Sequence, residues 1–229
     1  MKQDENRFKS KKYLIFLVIV LELLFFWVYL GRTHKYLDYS QASYDTTVGQ
    51  IVDKVNIKQS FVVEKNNFSE ISLLAATYSR INYGQLEILL KKKKTGEVVV
   101  KKNIKMENLI DNQYINIDFP AIQDSGNLEF EISIQSPKSS NGNSVTFWSS
   151  SEDVYKNGAL IINGKQVQQD IVFTTFYEMR NIDFYKNMIK NVTPKYYTLL
   201  YLLLIVLWVT ANLFFFSLIF SKPEANKLE

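Results

Sequence analysis

Groups that could catalyse a reaction are scarce in this 229-residue chain. It has no cysteine and a single histidine, His34, so cysteine nucleophiles, zinc clusters and histidine-dependent triads all lack essential groups. A glycosidase needs two carboxylates that face one site. Glu129 and Glu131 are two residues apart, but strand alternation turns both away from the core as solvated side chains. We therefore expect no enzyme activity, no cofactor and no metal site.

Aromatic and amide side chains favour binding over catalysis. Trp148 follows two apolar residues of opposite parity, Val145 and Phe147, so we expect its indole to face outward from a strand. Four further candidates lie where another strand gives way to a loop: Tyr78, Arg80, Asn82 and Tyr83. Sugar rings stack on aromatic faces and their hydroxyls bond to Arg and Asn, which makes these five residues candidate glycan contacts. In the alternative interpretation, Trp148 caps the core and Arg80 pairs with an acid such as Glu152.

Lysines crowd one predicted hairpin on either side of the Thr95–Gly96 turn. The candidates for contact with an anionic polymer are Lys91, Lys92, Lys93, Lys94, Lys101 and Lys102. Each lysine in contact with an anionic surface contributes about 1 kcal/mol. Lysines on an edge strand also prevent two sheets from pairing with each other, and we favour this protective role.

Two long apolar segments lie near the two ends of the chain. Residues 13–30 would form a helix of roughly 27 Å, close to the hydrocarbon thickness of a bilayer. Residues 196–220 form a longer run, and Pro194 before it suits a first helical turn. Both are predicted transmembrane helices. A cleaved signal peptide is the alternative for the first, but no small-residue cleavage site follows it.

One carboxylate, Glu22, lies inside the first apolar segment. An ionisable group at that depth costs a few kcal/mol unless it is neutral or paired, and such groups often serve a function. Asn212 in the second segment can offer a hydrogen bond. Glu22 and Asn212 are therefore candidate contacts with a partner membrane protein. The alternative is a neutral acid that bonds to the second helix.

Charges beside the first segment predict its orientation. The first twelve residues hold five basic side chains, Lys2, Arg7, Lys9, Lys11 and Lys12, whereas residues 31–50 hold only Arg32 and Lys35. The positive-inside rule then places both termini in the cytoplasm and residues 31–195 outside it. Basic residues before the second segment argue weakly for the opposite orientation.

Between the apolar segments the sequence has the period of half-buried strands. Apolar and polar residues alternate through 85–91, 114–119 and 128–134. Asn163–Gly164 is a strong hairpin signal, because a type I′ turn needs positive φ at both positions. About nine short strands separated by such turns predict an antiparallel β-sandwich of jelly-roll type.

These features predict a mainly β protein with a helix at each end. The predicted order is a cytoplasmic tail 1–12, a transmembrane helix 13–30, a stalk 31–55, an extracytoplasmic sandwich 56–177, a juxtamembrane amphipathic helix 178–195, a second transmembrane helix 196–220 and a cytoplasmic tail 221–229.

The strand region from Ile57 to Tyr177 also contains a set of short motifs that resemble those of a known domain family. They are Gln59-Ser60-Phe61, Ile71, Ala76-Thr77-Tyr78, Arg80, Asn82, Gly84, Leu86, Phe119-Pro120, Phe147-Trp148, Gly158-Ala159-Leu160, Asn163-Gly164 and Phe173–Tyr177. Through them the region resembles an extracytoplasmic domain of bacterial envelope proteins that accompanies glycosyltransferase or polysaccharide-assembly membrane segments. The resemblance implies a jelly-roll sandwich similar to carbohydrate-binding and galactose-binding-like modules. The lysine run 91–94 departs from that pattern, and a fold likeness alone does not specify a ligand.

Together these observations predict a two-helix protein of the bacterial cytoplasmic membrane that is not an enzyme. Its external domain would bind glycan or assist a polysaccharide-assembly partner. The expected partners are the lipid bilayer, an envelope glycan or anionic polymer, and a membrane glycosyltransferase or transporter. The net charge of +4 argues against nucleic acid. The alternative is a chain-length regulator or accessory subunit of a polysaccharide export complex that acts by oligomerisation.

Overall fold

The structure is a computed structural model that describes the backbone of residues 2–190 and 194–220. It describes the side chains of residues 13–14, 16–188, 190, 199 and 203–217. The predicted cytoplasmic tail 221–229 and the side chains of the tail 1–12 lie outside this set. The chain divides into a helical unit, residues 1–34 and 180–229, and a sandwich unit, Lys35–Met179.

The helical unit contains α1 (Lys2–Gly31), α2 (Asn181–Lys190) and α3 (Pro194–Phe220). The start of α2 is joined to the end of α1, because the Asn181 side-chain amide donates to the Tyr29 carbonyl at 2.9 Å. The Tyr29 and Tyr185 hydroxyls are also hydrogen-bonded at 3.0 Å. Over the residues described, no helix has both the length and the apolar character needed to cross a membrane.

The sandwich unit is mainly β, with two antiparallel sheets. The first sheet contains β1 (Thr33–Gln41), β2 (Thr46–Thr47), β4 (Phe68–Ala76), β7 (Gln113–Ile122), β9 (Thr146–Ser150), β12 (Asp170–Ile171) and β13 (Phe173–Arg180). The second sheet contains β3 (Asn56–Val62), β5 (Gln85–Lys92), β6 (Val98–Lys105), β8 (Glu129–Gln135), β10 (Leu160–Ile162) and β11 (Lys165–Val167), in the order β11-β10-β3-β8-β5-β6.

Phenylalanines from both sheets form the centre of the core. Phe61 and Phe130 of the second sheet are fully buried, as is Phe68 of the first. The ring centroids of Phe68 and Phe130 are 5.0 Å apart, and those of Phe61 and Phe173 are 5.3 Å apart. These contacts join opposite sheets, so the sheets pack face to face as a β-sandwich.

The structure confirms the predicted strands and corrects the predicted stalk. Asn163 and Gly164 have φ of 51° and 79° and close the β10–β11 hairpin, as the dipeptide predicts. Within the stalk predicted over 31–55, however, residues 33–41 form β1, which lies beside β13. The strand was missed because it is anchored by polar contacts, such as Ser40 with Thr174 at 3.1 Å, and lacks apolar alternation. A short 3-10 helix, Met106–Asn108, follows β6.

Candidate functional site at the loop end of the first sheet

Strand register gathers three separate loops at one end of the first sheet. At the end of β4, Ala75 lies opposite Gln113 of β7 on one side and Phe147 of β9 on the other. The loop that leaves β4 therefore lies beside the loop that enters β7 and beside the start of β9. Three predicted glycan contacts, Tyr78, Arg80 and Trp148, come from these elements.

Asp111 connects the first two loops. Its Oδ1 accepts hydrogen bonds from the Thr77 backbone N–H at 2.5 Å and from the Thr77 hydroxyl at 3.2 Å. Its Oδ2 accepts one from the Ser79 hydroxyl at 3.1 Å. These bonds, led by the one from the Thr77 backbone, hold the pKa of Asp111 below its ordinary value despite partial desolvation. The carboxylate is therefore charged at neutral pH.

The loop that Asp111 holds is strained. Tyr78 and Ser79 have φ of 58° and 55°, a left-handed conformation that costs roughly 1–2 kcal/mol for each residue with a Cβ. The conformation places the Arg80 guanidinium 4.8 Å from the centroid of the Tyr78 ring. Both side chains are exposed. Strain of this kind concentrates at functional sites, where surrounding contacts hold it in place.

Trp148 joins the same surface through Asn112. The Trp148 indole N–H donates to Asn112 Oδ1 at 2.8 Å, and Asn112 Nδ2 donates to Asp111 Oδ2 at 3.2 Å. The indole also lies against the Tyr44 ring, with centroids 5.0 Å apart. Phe147 beside it is fully buried, whereas Trp148 is only half-buried and faces outward.

We call this surface the loop-end cluster: Tyr44, Tyr78, Arg80, Asp111, Asn112 and Trp148. Arg80 donates to the Ser144 carbonyl at 3.4 Å and, within the described residues, forms no ion pair with Glu152 or another acid. Tyr83 is 66% exposed in the same loop, whose backbone is held by Asn143. Sequence reasoning missed Tyr44, Asp111 and Asn112.

Asn82 has a supporting position rather than an accessible one. Its side chain is fully buried, and its amide donates to the Thr77 carbonyl at 3.1 Å. Its Oδ1 has no hydrogen-bond partner among the described residues. Asn82 therefore supports the strained loop from beneath, and we omit it from the loop-end cluster.

The six candidate lysines of the β5–β6 hairpin fall into two groups. Three make direct hydrogen bonds: Lys92 to Glu97 at 2.9 Å, Lys93 to Glu129 at 2.6 Å and Lys102 to the Asn116 carbonyl at 2.7 Å. Lys91 and Lys101 lie 3.8 Å from their nearest carboxylate oxygens, and Lys94 is exposed near the turn. β6 is at the edge of the second sheet, the position where lysines protect against pairing with another sheet.

The structure does not join the two candidate intramembrane groups directly. The Asn212 amide donates to the Trp208 carbonyl of its own helix at 3.0 Å. Glu22 is half-buried in α1, and its Oε2 is enclosed with no hydrogen-bond partner among the described residues. The predicted contact of these groups with a partner protein remains a prediction.

Comparisons with known proteins add no family. No protein-family description and no curated protein matches the chain. A solved structure of the infectious bursal disease virus Gt strain is similar at 12% identity and a TM-score of 0.19, over 72% of this chain and 43% of that chain. The match spans less than half of the viral chain, and at this TM-score it carries no argument about fold or function.

Proposed function

We propose that this protein is a membrane-anchored envelope protein whose β-sandwich binds glycan through the loop-end cluster. One observation carries the proposal: hydrogen bonds from Trp148 through Asn112 to Asp111 connect the outward aromatic ring to the strained loop with Tyr78 and Arg80. Sequence-distant groups are thereby fixed on a single exposed surface. Positioned aromatic and polar groups of this kind suit a sugar.

Each part of the loop-end cluster has a distinct role in this proposal. The Trp148 and Tyr44 rings offer apolar faces for the C–H surface of a sugar. Arg80 uses a single N–H on Ser144, which leaves further guanidinium donors for sugar hydroxyls. Asp111 is charged and accepts hydrogen bonds. Asn112 uses both ends of its amide on Trp148 and Asp111, so it positions the site and does not contact the ligand.

Membrane anchoring explains the surface of the two long helices. Large apolar side chains there are open: Trp27 is 79% exposed, Phe25 75% and Phe214 66%. In hydrocarbon such a surface has favourable surroundings, whereas in water it would drive association. The predicted span 196–220 lies partly outside the described side chains, and the anchoring proposal rests on its full sequence.

Location and connectivity complete the proposal. Basic residues within positions 1–12, ahead of the apolar segment 13–30, favour a cytoplasmic N-terminus, and with two crossings the sandwich lies outside the cytoplasm. The resemblance to extracytoplasmic domains of bacterial envelope proteins supports the same location and a jelly-roll connectivity. A glycan is then the ligand class available to the loop-end cluster.

The glycan proposal is tested on a glycan array with the full chain in detergent. We expect Trp148→Ala to weaken binding about tenfold, because an aromatic face worth roughly 1.4 kcal/mol is lost. Trp148→Phe should retain part of the binding. Val98→Ala, which removes an exposed apolar side chain from the other sheet, should bind as the wild type does. Unchanged binding by Trp148→Ala would exclude this surface.

Topology is tested separately by adding protease to intact cells that produce the chain with a tag at each end. We expect cleavage between residues 31 and 195 and protection of both tags, because only the sandwich lies outside the membrane. Lysed cells supply the control in which every segment is accessible. Protection of the sandwich in intact cells would contradict the proposed location.

A further inference from the structure

The outer face of the second sheet carries a polar groove, which shares no residue with the loop-end cluster. Register aligns three outward rows across the strands. They are Lys58–Ser133–Leu89–Lys101, then Ser60–Glu131–Lys91, and then Asn56–Gln135–Glu87–Asn103. Cavities of about 230 and 520 Å³ lie along these rows, and both contain Asn56 and Lys58. We call this surface the sheet groove.

The lysines of the sheet groove keep their hydrogen-bond donors for an incoming group. The Nζ atoms of Lys58 and Lys91 lie 3.6 and 3.8 Å from Glu131, and that of Lys101 lies 3.8 Å from Glu87. These distances exceed those of a hydrogen bond. Lys92, Lys93 and Lys102, on the same β5–β6 hairpin as Lys91 and Lys101, make direct hydrogen bonds instead. The groove lysines are thus held in place by electrostatic attraction to the glutamates, and their N–H donors remain available to a ligand.

The charge pattern selects among possible ligands. Four lysines line the sheet groove, Lys54, Lys58, Lys91 and Lys101, against the two carboxylates Glu87 and Glu131. This positive excess attracts an anion. A densely charged polymer would also meet both glutamates, which repel it. A chain with hydroxyls between its charges offers donors to the glutamates and partners to the neighbouring amides.

The geometry points to the sheet groove as a binding site for an acidic polysaccharide. Lys58, Lys91 and Lys101 bind the carboxylates of the sugar chain through charge-assisted hydrogen bonds. Asn56 and Gln135 bind hydroxyls between them. Lys58 and Lys101 share one row across four strands, which places their backbones about 14 Å apart. The groove therefore spans several sugar units and is independent of Trp148.

The test measures binding of the full chain in detergent to polygalacturonate, with uncharged dextran as the comparison polymer. We expect Lys58→Gln/Lys101→Gln to bind about tenfold more weakly, because charge-assisted hydrogen bonds are lost. The control Lys65→Gln/Lys156→Gln removes the same charge from exposed sites elsewhere and should retain wild-type affinity. The loop-end cluster is identical in the two double variants, so a difference between them reports on this groove alone.

Three results would overturn the inference. The first is no binding of the wild type to polygalacturonate at low salt. The second is an equal loss in both double variants, which would show attraction by net charge alone. The third is tighter binding to phosphatidylglycerol vesicles or duplex DNA than to polygalacturonate, because a densely charged surface would then be the better ligand.

Discussion

Gly158→Ala is expected to destabilise the sandwich by about 3 kcal/mol, at the upper end of the cost of overpacking. A Cβ at Gly158 would lie 2.0 Å from the Ser60 carbonyl oxygen and 3.0 Å from the Tyr155 ring. The clash cannot be relieved by a rotamer change, because it involves backbone. Ser60 and Ala159 are also hydrogen-bonded through the Ser60 amide and the Ala159 carbonyl at 3.0 Å, so separating them breaks that contact.

Gly126→Ala is the matched control for this prediction. A Cβ at Gly126 would lie 2.7 Å from Asn66 Oδ1, the end of a side chain that can move. We expect a cost of about 1 kcal/mol, because the hydrogen bond from the Gly126 amide to Asn66 must be rearranged. Urea denaturation of both variants measures the difference. Equal free energies of unfolding would show that the backbone around Gly158 yields easily.

Asp170→Ala is expected to cost a similar amount, about 3 kcal/mol, for a different reason. Asp170 is fully buried between the sheets. Its oxygens accept hydrogen bonds from the Gln59 amide at 3.1 Å and from the Tyr155 backbone N–H at 2.8 Å. Removing the carboxylate leaves both donors unpaired in the interior. Asp170→Asn retains one acceptor and removes the buried charge, so we expect about half the cost.

The cost of Asp170→Ala should also depend on pH. Burial raises the pKa of Asp170 in the folded protein, although its hydrogen bonds oppose the shift. The contribution of Asp170 to the free energy of unfolding is therefore greatest below the unfolded pKa of about 3.9. It falls as the pH rises through the higher folded pKa. Denaturation at pH 4 and pH 7 should show a larger loss at pH 4, and a larger loss at pH 7 would contradict this assignment.

Local pattern predicted most of the sandwich, and non-local contacts account for what it missed. The alternation in 128–134 reports burial of Phe130, Ile132 and Ile134 directly, so β8 could be predicted from sequence. β2 has only two residues, and Asp45 just before it binds Ser151 through a contact more than a hundred residues away. The sequence around β2 therefore contains no pattern from which this partner could be predicted.

The candidate site shows the same division. Trp148 could be predicted to face outward, because parity with the buried Phe147 is a local property. Asp111 could not be assigned, since its partners Thr77 and Ser79 lie more than thirty residues away. Asn82 was predicted to contact a ligand but is buried. The sequence could not show this, because an amide in a loop has the same local pattern whether it faces solvent or the interior.

The neighbouring positions of β1 and β13 in the first sheet have a consequence for evolution and engineering. The chain enters and leaves the sandwich through adjacent strands. Arg32 precedes β1 and Asn181 follows β13, and the Asn181 backbone N–H donates to the Arg32 carbonyl at 2.9 Å. A fold whose two ends meet can be transplanted as a cassette into a surface loop of an unrelated host without stretching either chain. Residues 33–180 form such a cassette.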